Sequence, residues 1–419
     1  ISLSGNLLIL FLVFFPFAAG LVNYLLGRHN KTGRDRVAIL ITAIELAATI
    51  VLVAMSLETP TDLYWEGFAG FGLHFRADGF RLVMAMIAAI TWFFTTVQSI
   101  EYFNKLNGRN RNRYYMFMLW TLGATMAIFL SANLYTTFIF FEVMTFTSYV
   151  LVIHGESEKA IDASKSYLGF GVLGGLVTLM GLFMLQANIG TLEMDQILSA
   201  IQSSGTSYGM VLASGLLILF GFGVKAGMYP LHTWLPKAYV AAPEPATALL
   251  SAVLSKAGIF GIFVVTGQIL LHDYTWGLVI LIAGTLTMLT GAMLAVFSTN
   301  FKRTIACSSM SQIGFILVGT GMQAVLGEHN AIAVQGSVLH LVNHSFIKLA
   351  LFMVAGIIFM NLKDFDLNKI KGWGRNKWLI KLVSASAILG VAGVPFFNGY
   401  ISKTLIHESL VEYIAMFPE

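Results

Sequence analysis

The chain has 419 residues, of which 57% are hydrophobic and 11% charged, against roughly 25% charged in soluble domains. So few charges cannot coat a soluble surface, which excludes a disordered chain, a secreted disulfide scaffold and a nucleic-acid-binding domain. The single cysteine, Cys307, leaves no internal disulfide or cysteine-ligated cluster, and the net charge of +4 is spread between apolar runs, as in a chain that crosses a membrane repeatedly.

In chain order, apolar runs of membrane-crossing length predict helices over 5–26, 36–57, 79–100, 114–131, 133–153, 160–186, 209–229, 242–269, 274–297, 304–323, 331–359 and 378–395. A further apolar piece, 400–417, follows a break. The first run is too long and apolar for a secretory leader and reads as a membrane helix. The expected fold is an all-α polytopic membrane protein with twelve to thirteen transmembrane helices, or more. Residues 58–77 (ETPTDLYWEGFAGFGLHFRA) alternate aromatic and polar residues and predict a small external hairpin.

Basic residues fall in alternate loops. They follow the first, third, fifth and seventh runs (Arg28 to Arg36, Lys105 to Arg113, Lys159, Lys237) and precede the tenth and twelfth (Lys302 and Arg303, Lys363 to Lys377). The intervening loops carry Glu58, Asp62, Glu66, Glu193, Asp195, Asp273 and Glu328. This alternation predicts the N-terminus outside and every basic loop in the cytoplasm of a prokaryote's inner (plasma) membrane.

Charges within the apolar runs are the informative residues, because one at mid-helix costs about 2.5–3.5 kcal/mol on insertion scales. Glu142 lies in FIFFEVMTFTSY with apolar turns on both sides. It is read as part of an ion pathway or as one half of a structural ion pair. Lys225 lies in LFGFGVKAGMYPLHTWLP, where Gly221, Gly223, Gly227, Pro230 and Pro236 predict a broken helix. Lys256 follows the double proline Pro243-Glu244-Pro245, with Ser251 and Ser255 about one turn away. His340, His344 and Lys348 recur every four residues in LHLVNHSFIKLA, which places them on one helix face. Lys403 lies in GVAGVPFFNGYISK, a second apolar run interrupted beside a lysine.

Two corresponding interrupted runs are the pattern of an inverted-repeat transporter. Three N-terminal helices and the hairpin (1–113) would precede a first repeat at 114–269 and a second at 274–419. A Glu/Lys/His row suits proton or cation relay, since histidine exchanges protons near neutral pH and lysine does so when desolvated. Glu142 is expected close to Lys225, in direct or one-water contact. A zinc site is disfavoured, because Leu341 follows His340 where a zinc protease needs glutamate. No metal or cofactor is expected in this chain, and GFGVLGGL (169–176) reads as helix packing.

The segments KAGMYPLHTWLPKAYVAAPEPATALLSAVLSKAGIFG, FKRTIACSSMSQIGFILVG and HLVNHSFIKLALFMVAGII resemble the antiporter-like subunits of respiratory complex I, Mrp-type sodium/proton antiporters and membrane-bound energy-converting hydrogenases. The resemblance implies a relay through Glu142, Lys225, Lys256, His340, His344, Lys348 and Lys403. It implies a non-redox, ion-translocating subunit beside other membrane subunits, moving protons, or sodium coupled to protons. His232, Lys237 and Glu244 are candidate entrance residues. Lys237 stands where relatives usually carry aspartate, and Glu244 where a small residue is usual. Relatives commonly have about two more helices, so the second repeat is expected to be cut short. Rival expectations are a stand-alone transporter of a small solute, with a substrate-sized cavity, and a passive scaffold subunit of a redox complex.

Overall fold

The computed structural model describes residues 2–418. The described helices are α1 Ser2–Gly27, α2 Lys31–Ser56, α3 Gly79–Leu106, α4 Arg111–Leu130, α5 Leu134–Val152, α6 Glu158–Ile189, α7 Ile197–Ser204, α8 Tyr208–Ala226 and α9 Trp234–Ala241. They continue with α10 Glu244–Leu249, α11 Ser255–Val264, α12 Tyr274–Val296, α13 Phe301–Val325, α14 Ala331–Leu362, α15 Leu367–Ile370, α16 Trp378–Ala392 and α17 Asn398–Met416. The protein is an all-α polytopic membrane protein. Its hairpin forms as expected, with β1 Thr61–Trp65 antiparallel to β2 Leu73–Ala77 and Leu63 opposite Phe75.

Local sequence sets the helix starts. Asn30, Ser157, Ser207, Asp273 and Asn300 each accept a backbone N–H of the first turn through the side chain. Each such cap contributes about 1 kcal/mol.

Among the described residues, ten helices are long and apolar enough to cross a membrane, against twelve expected spans. The two others differ for physical reasons. Helix α4 is long enough but is buried along most of its length by protein, so it does not need a lipid-facing apolar surface. The span expected at 378–395 is the 15-residue α16, a half-helix. α10, α11 and the two π-helical segments Leu250–Leu254 and Val265–Ile269 form one continuous rod. That rod and α13 are the centre of the bundle: 94% and 89% of their apolar windows are buried, against 22% for α12.

Glycine lets neighbouring helices approach closely. A Cβ on Gly221 of α8 would lie 2.5 Å from the Gly174 carbonyl of α6. The glycine-rich stretch 169–176 therefore packs helices, as expected.

The basic loops meet at one end of the bundle. Arg34 donates to Asn112 at 2.7 Å, Lys105 to Asn361 at 2.9 Å and Arg113 to Glu156 at 2.7 Å. At the other end His74 of the hairpin lies between Asp62 (2.9 Å) and Glu193 (2.6 Å). This cluster ties the hairpin to the loop between α6 and α7.

Candidate functional site

Two interrupted helices carry lysine, and both breaks have the same cap. Helix α8 ends at Gly227 (φ 79°), where Met228 N–H donates to Gly223 O at 2.9 Å. Helix α16 ends at Gly393 (φ 76°), where Val394 N–H donates to Leu389 O at 3.1 Å. A positive φ at this position suits glycine, and the bond to a carbonyl five residues back is the Schellman arrangement. Trp234 Nε1 donates to Val224 O at 2.9 Å, satisfying a carbonyl that the break of α8 frees.

Each break holds an ammonium at the C-terminal end of a half-helix, where the dipole favours a cation. Lys225 lies in the last turn of α8. Lys403, on α17, donates to Val391 O at the end of α16, and its ammonium lies 4.5 Å from the Phe315 ring centre.

No direct hydrogen bond or ion pair joins Lys225 to Glu142 among the described residues, although the lysine's charge acts on the carboxylate. The Lys225 ammonium donates to Tyr167 Oη at 2.7 Å, and Tyr167 lies 2.5 Å from Ser148 Oγ. The space open to a water centre beside Lys225 is about 10 Å³, the threshold for one water. Glu142 Oε1 is buried with no hydrogen-bond partner among the described residues. The carboxylate packs against Gly175, where a Cβ would lie 2.1 Å from Oε1. Glu142 also lines a lateral groove with Phe17, Trp120, Val143, Phe146 and Thr147. The direct pair fails because α6 brings Tyr167 to the lysine and Gly175 to the carboxylate.

The centre is more tightly connected than spacing alone implied. Lys256 is fully buried; its Nζ donates to Ser251 O at 2.8 Å and lies 2.6 Å from His344 Nδ1. His340 and His344 stack, with ring centroids 6.5 Å apart and planes 8° from parallel. His340 Nδ1 lies 2.9 Å from Ser402 Oγ, and its Nε2 lies 3.0 Å from Gln312 Oε1. Lys348 does not join its face-mates: it donates to Ser308 Oγ at 2.7 Å and Ile305 O at 3.3 Å. Ser251 and Ser309 lie 2.8 Å apart and bridge the two positions.

The three candidate entrance residues fall in different places. His232 stacks on Tyr229 in the break after α8 (5.5 Å, 18°). Lys237 is exposed and pairs with Asp162 at 3.6 Å. Glu244 is buried, and its Oε1 accepts from Lys302 at 2.8 Å.

Sequence reasoning missed Lys302, which was assigned to a loop but is fully buried. It missed Tyr167, Ser148, Ser308, Gln312 and Ser402, for which hydroxyl and amide chemistry gives no signal without a fold. It also missed Glu45, for which a signal existed: an acid in the middle of an apolar helix. Glu45 is fully buried, and neither oxygen has a hydrogen-bond partner among the described residues.

Residues 131–417, more than half of the chain, match the transmembrane family described as NADH:quinone oxidoreductase/Mrp antiporter. The chain belongs to that family. The region of this antiporter-family chain that matches runs from before Glu142 to beyond Lys403 and leaves α1 to α4 and the hairpin outside. The chain is 28% identical to an Na(+)/H(+) antiporter subunit of Alkalihalophilus pseudofirmus, over 95% of this chain and 79% of that protein. It is 29% identical to hydrogenase-4 component B of Escherichia coli over 81% of this chain, and it spans about half of that relative's length (51%). Two solved structures share the fold. The membrane-bound sulfane sulfur reductase, an archaeal respiratory membrane complex, gives a TM-score of 0.86 at 23% identity, covering 96% of this chain and 81% of that one. The Mrp complex of Dietzia sp. gives 0.86 at 22%, covering 99% and 76%.

Proposed function

We propose that this chain is a cation/proton antiporter-like membrane subunit that moves protons, or sodium exchanged for protons, through its buried Lys/His file. The observation that carries this reading is the Lys256–His344 contact, 2.6 Å between two groups sealed from solvent. An ammonium only donates, so a charged Lys256 needs an unprotonated Nδ1 on His344. The pair exchanges one proton between two bases with no intervening water. His340, stacked on His344, extends the file to Ser402 and so to the second break beside Lys403. Lys225 and Lys348 serve as charged stations on either side, and Glu142 biases Lys225 from the groove.

The names of its relatives support a place among the membrane subunits of an Mrp-type antiporter or a hydrogenase-like or respiratory complex. Redox chemistry and cofactors would then belong to other subunits. The alternation of basic and acidic ends supports a prokaryotic plasma membrane location with the N-terminus outside. The small space beside Lys225 favours an ion over an organic solute. A passive scaffold has no need for four buried lysines. The test is ion flux through the assembled complex carrying Lys256→Ala, and wild-type flux would refute the relay.

A further inference from the structure

The structure points to a loading site for the transported cation that lies outside the Lys/His file. A cavity of about 570 Å³ opens at the basic-loop end, between the C-terminal ends of α3 and α14, the turn after α5 and the segment 240–244. Glu244 lies in its wall, 3% exposed. Lys302 is satisfied without the second carboxylate oxygen: it donates to Glu244 Oε1 at 2.8 Å, Ala242 O at 2.5 Å and Val240 O at 3.1 Å. An ammonium has three donors, so Oε2 is left over. That oxygen is buried and meets no donor in good hydrogen-bond geometry among the described residues. The Tyr102 hydroxyl in the same cavity wall faces the carboxylate and is the neutral group a loaded cation would share it with.

We propose that Glu244 Oε2 is the site at which a monovalent cation, hydronium or sodium, loads from the cytoplasmic side. This rests on the proposed relay and gives it an entrance. In the proton case the carboxylate gains an O–H bond and hydronium leaves as water. In the sodium case the oxygen becomes one ligand of the ion. Either event raises the charge of the Glu244–Lys302 pair from zero to +1.

The added charge is well placed to act on the file. Lys302 lies one helical turn before Ile305, whose carbonyl holds Lys348, and next to that position Ser309 bridges to Ser251 and Lys256. Loading therefore destabilises the charge on Lys348 through a connected set of contacts.

The titratable and charged groups around Glu244 are Lys302 on α13, Tyr102 on α3, Tyr114 on α4 and, at the mouth, Arg109, His154 and Glu156. Arg113 neutralises Glu156 at 2.7 Å. His154 lies in the turn after α5, where burial first and the Arg113 charge second push its imidazole down to about 4. It is neutral at the working pH and does not repel a cation. Arg109 is exposed at the rim, where water screens it.

The test measures flux through the whole complex in inside-out vesicles, as proton or sodium concentration is varied at the former cytoplasmic face. Glu244→Gln keeps the shape and the Oε1 acceptor but not the charge. Gly155→Trp leaves the ion pair untouched and fills the mouth, since a side chain at Gly155 meets nothing within 4 Å. Both variants should raise the half-saturating cation concentration about tenfold, with the maximal rate much less affected and assembly normal. A shift along the proton axis alone, or along the sodium axis alone, identifies the ion. Half-saturation at the wild-type concentration in Gly155→Trp and in any assembled Glu244→Gln overturns the entrance. If Lys256→Ala is inactive in the same vesicles, the relay survives that result. If Lys256→Ala is fully active while Glu244→Gln is shifted, the relay fails and the entrance stands.

Discussion

Lys256 Nζ and His344 Nδ1 are joined at 2.6 Å in the centre of the bundle, on helices 88 residues apart in sequence. His344 Nε2 is buried with no partner among the described residues, so Lys256 is the histidine's anchor as well as its exchange partner. Lys256→Ala removes both roles. Flux should fall about 100-fold, the scale of a lost general acid–base group, with the complex still assembled. Lys256→Arg should be nearly as slow, because guanidinium does not release its proton. Proteoliposome flux beside the yield of assembled complex reads both, and an arginine variant at the wild-type rate would sink the exchange.

Lys225 depends on Tyr167 for its side-chain hydrogen bond. Lys225→Ala should abolish transport and leave assembly intact. Tyr167→Phe keeps the ring contacts and removes the acceptor, which costs about 1–3 kcal/mol for a buried charged donor. Its flux should drop about tenfold. Unchanged flux in Tyr167→Phe would show that the phenol only fills space.

Gly175→Ala places a methyl where Glu142 Oε1 now lies, 2.1 Å from the ideal Cβ. The carboxylate must move toward the groove, at a cost of about 1–3 kcal/mol for an overpacked contact. Transport should fall to the level of Glu142→Gln. Gly169→Ala on the same helix meets nothing within 4 Å and is the control, and equal flux in the two alanine variants would argue against a role for the carboxylate's position.

At the hairpin end, burial acts to lower the His74 pKa, but hydrogen bonds and charges from Glu193 and Asp62 outweigh it, so the value is raised above 6.5. A raised folded pKa means the protonated form stabilises the fold. That stabilisation is fully present below pH 6.5 and is lost as pH rises through the higher folded value. In detergent, the Tm advantage of the wild type over His74→Gln should shrink as the medium passes from mildly acidic to alkaline. A pH-independent difference would contradict the linkage.

Membrane helices are legible because lipid demands long apolar runs, and every expected run has a helix. α4 shows where hydropathy loses force, since protein rather than lipid covers it. Lysines beside glycine and proline marked both breaks, because no loop could explain those charges. Partners were less legible. Four-residue spacing put Lys348 on the histidine face, yet a long side chain reaches Ser308 on another helix instead. The Glu142–Lys225 pair was inferred from opposite charge, and that argument could not see that α6 offers the lysine the Tyr167 hydroxyl and packs Gly175 against the carboxylate. Lys302 looked like a loop lysine because it lies one residue into α13; only the fold shows the 240–244 segment closing over it.

α11 is bracketed by π-helical segments, with Ser255 N–H bonded to Leu250 O and Leu270 N–H to Val265 O, each five residues back. A π turn holds one residue more than an α turn, so the rod contains two surplus residues, one on each side of Lys256. Chain length here acts as an angular setting. Deleting a single residue within 250–254 would restore ordinary α geometry and turn Lys256 by about 100° relative to the Glu244 end of the rod. Helicity and hydropathy would be almost unchanged, yet the lysine could no longer face His344 while Glu244 faced Lys302. The phase between the two sites is therefore fixed by residue count, and this stretch should resist insertions and deletions more strongly than it resists apolar substitutions.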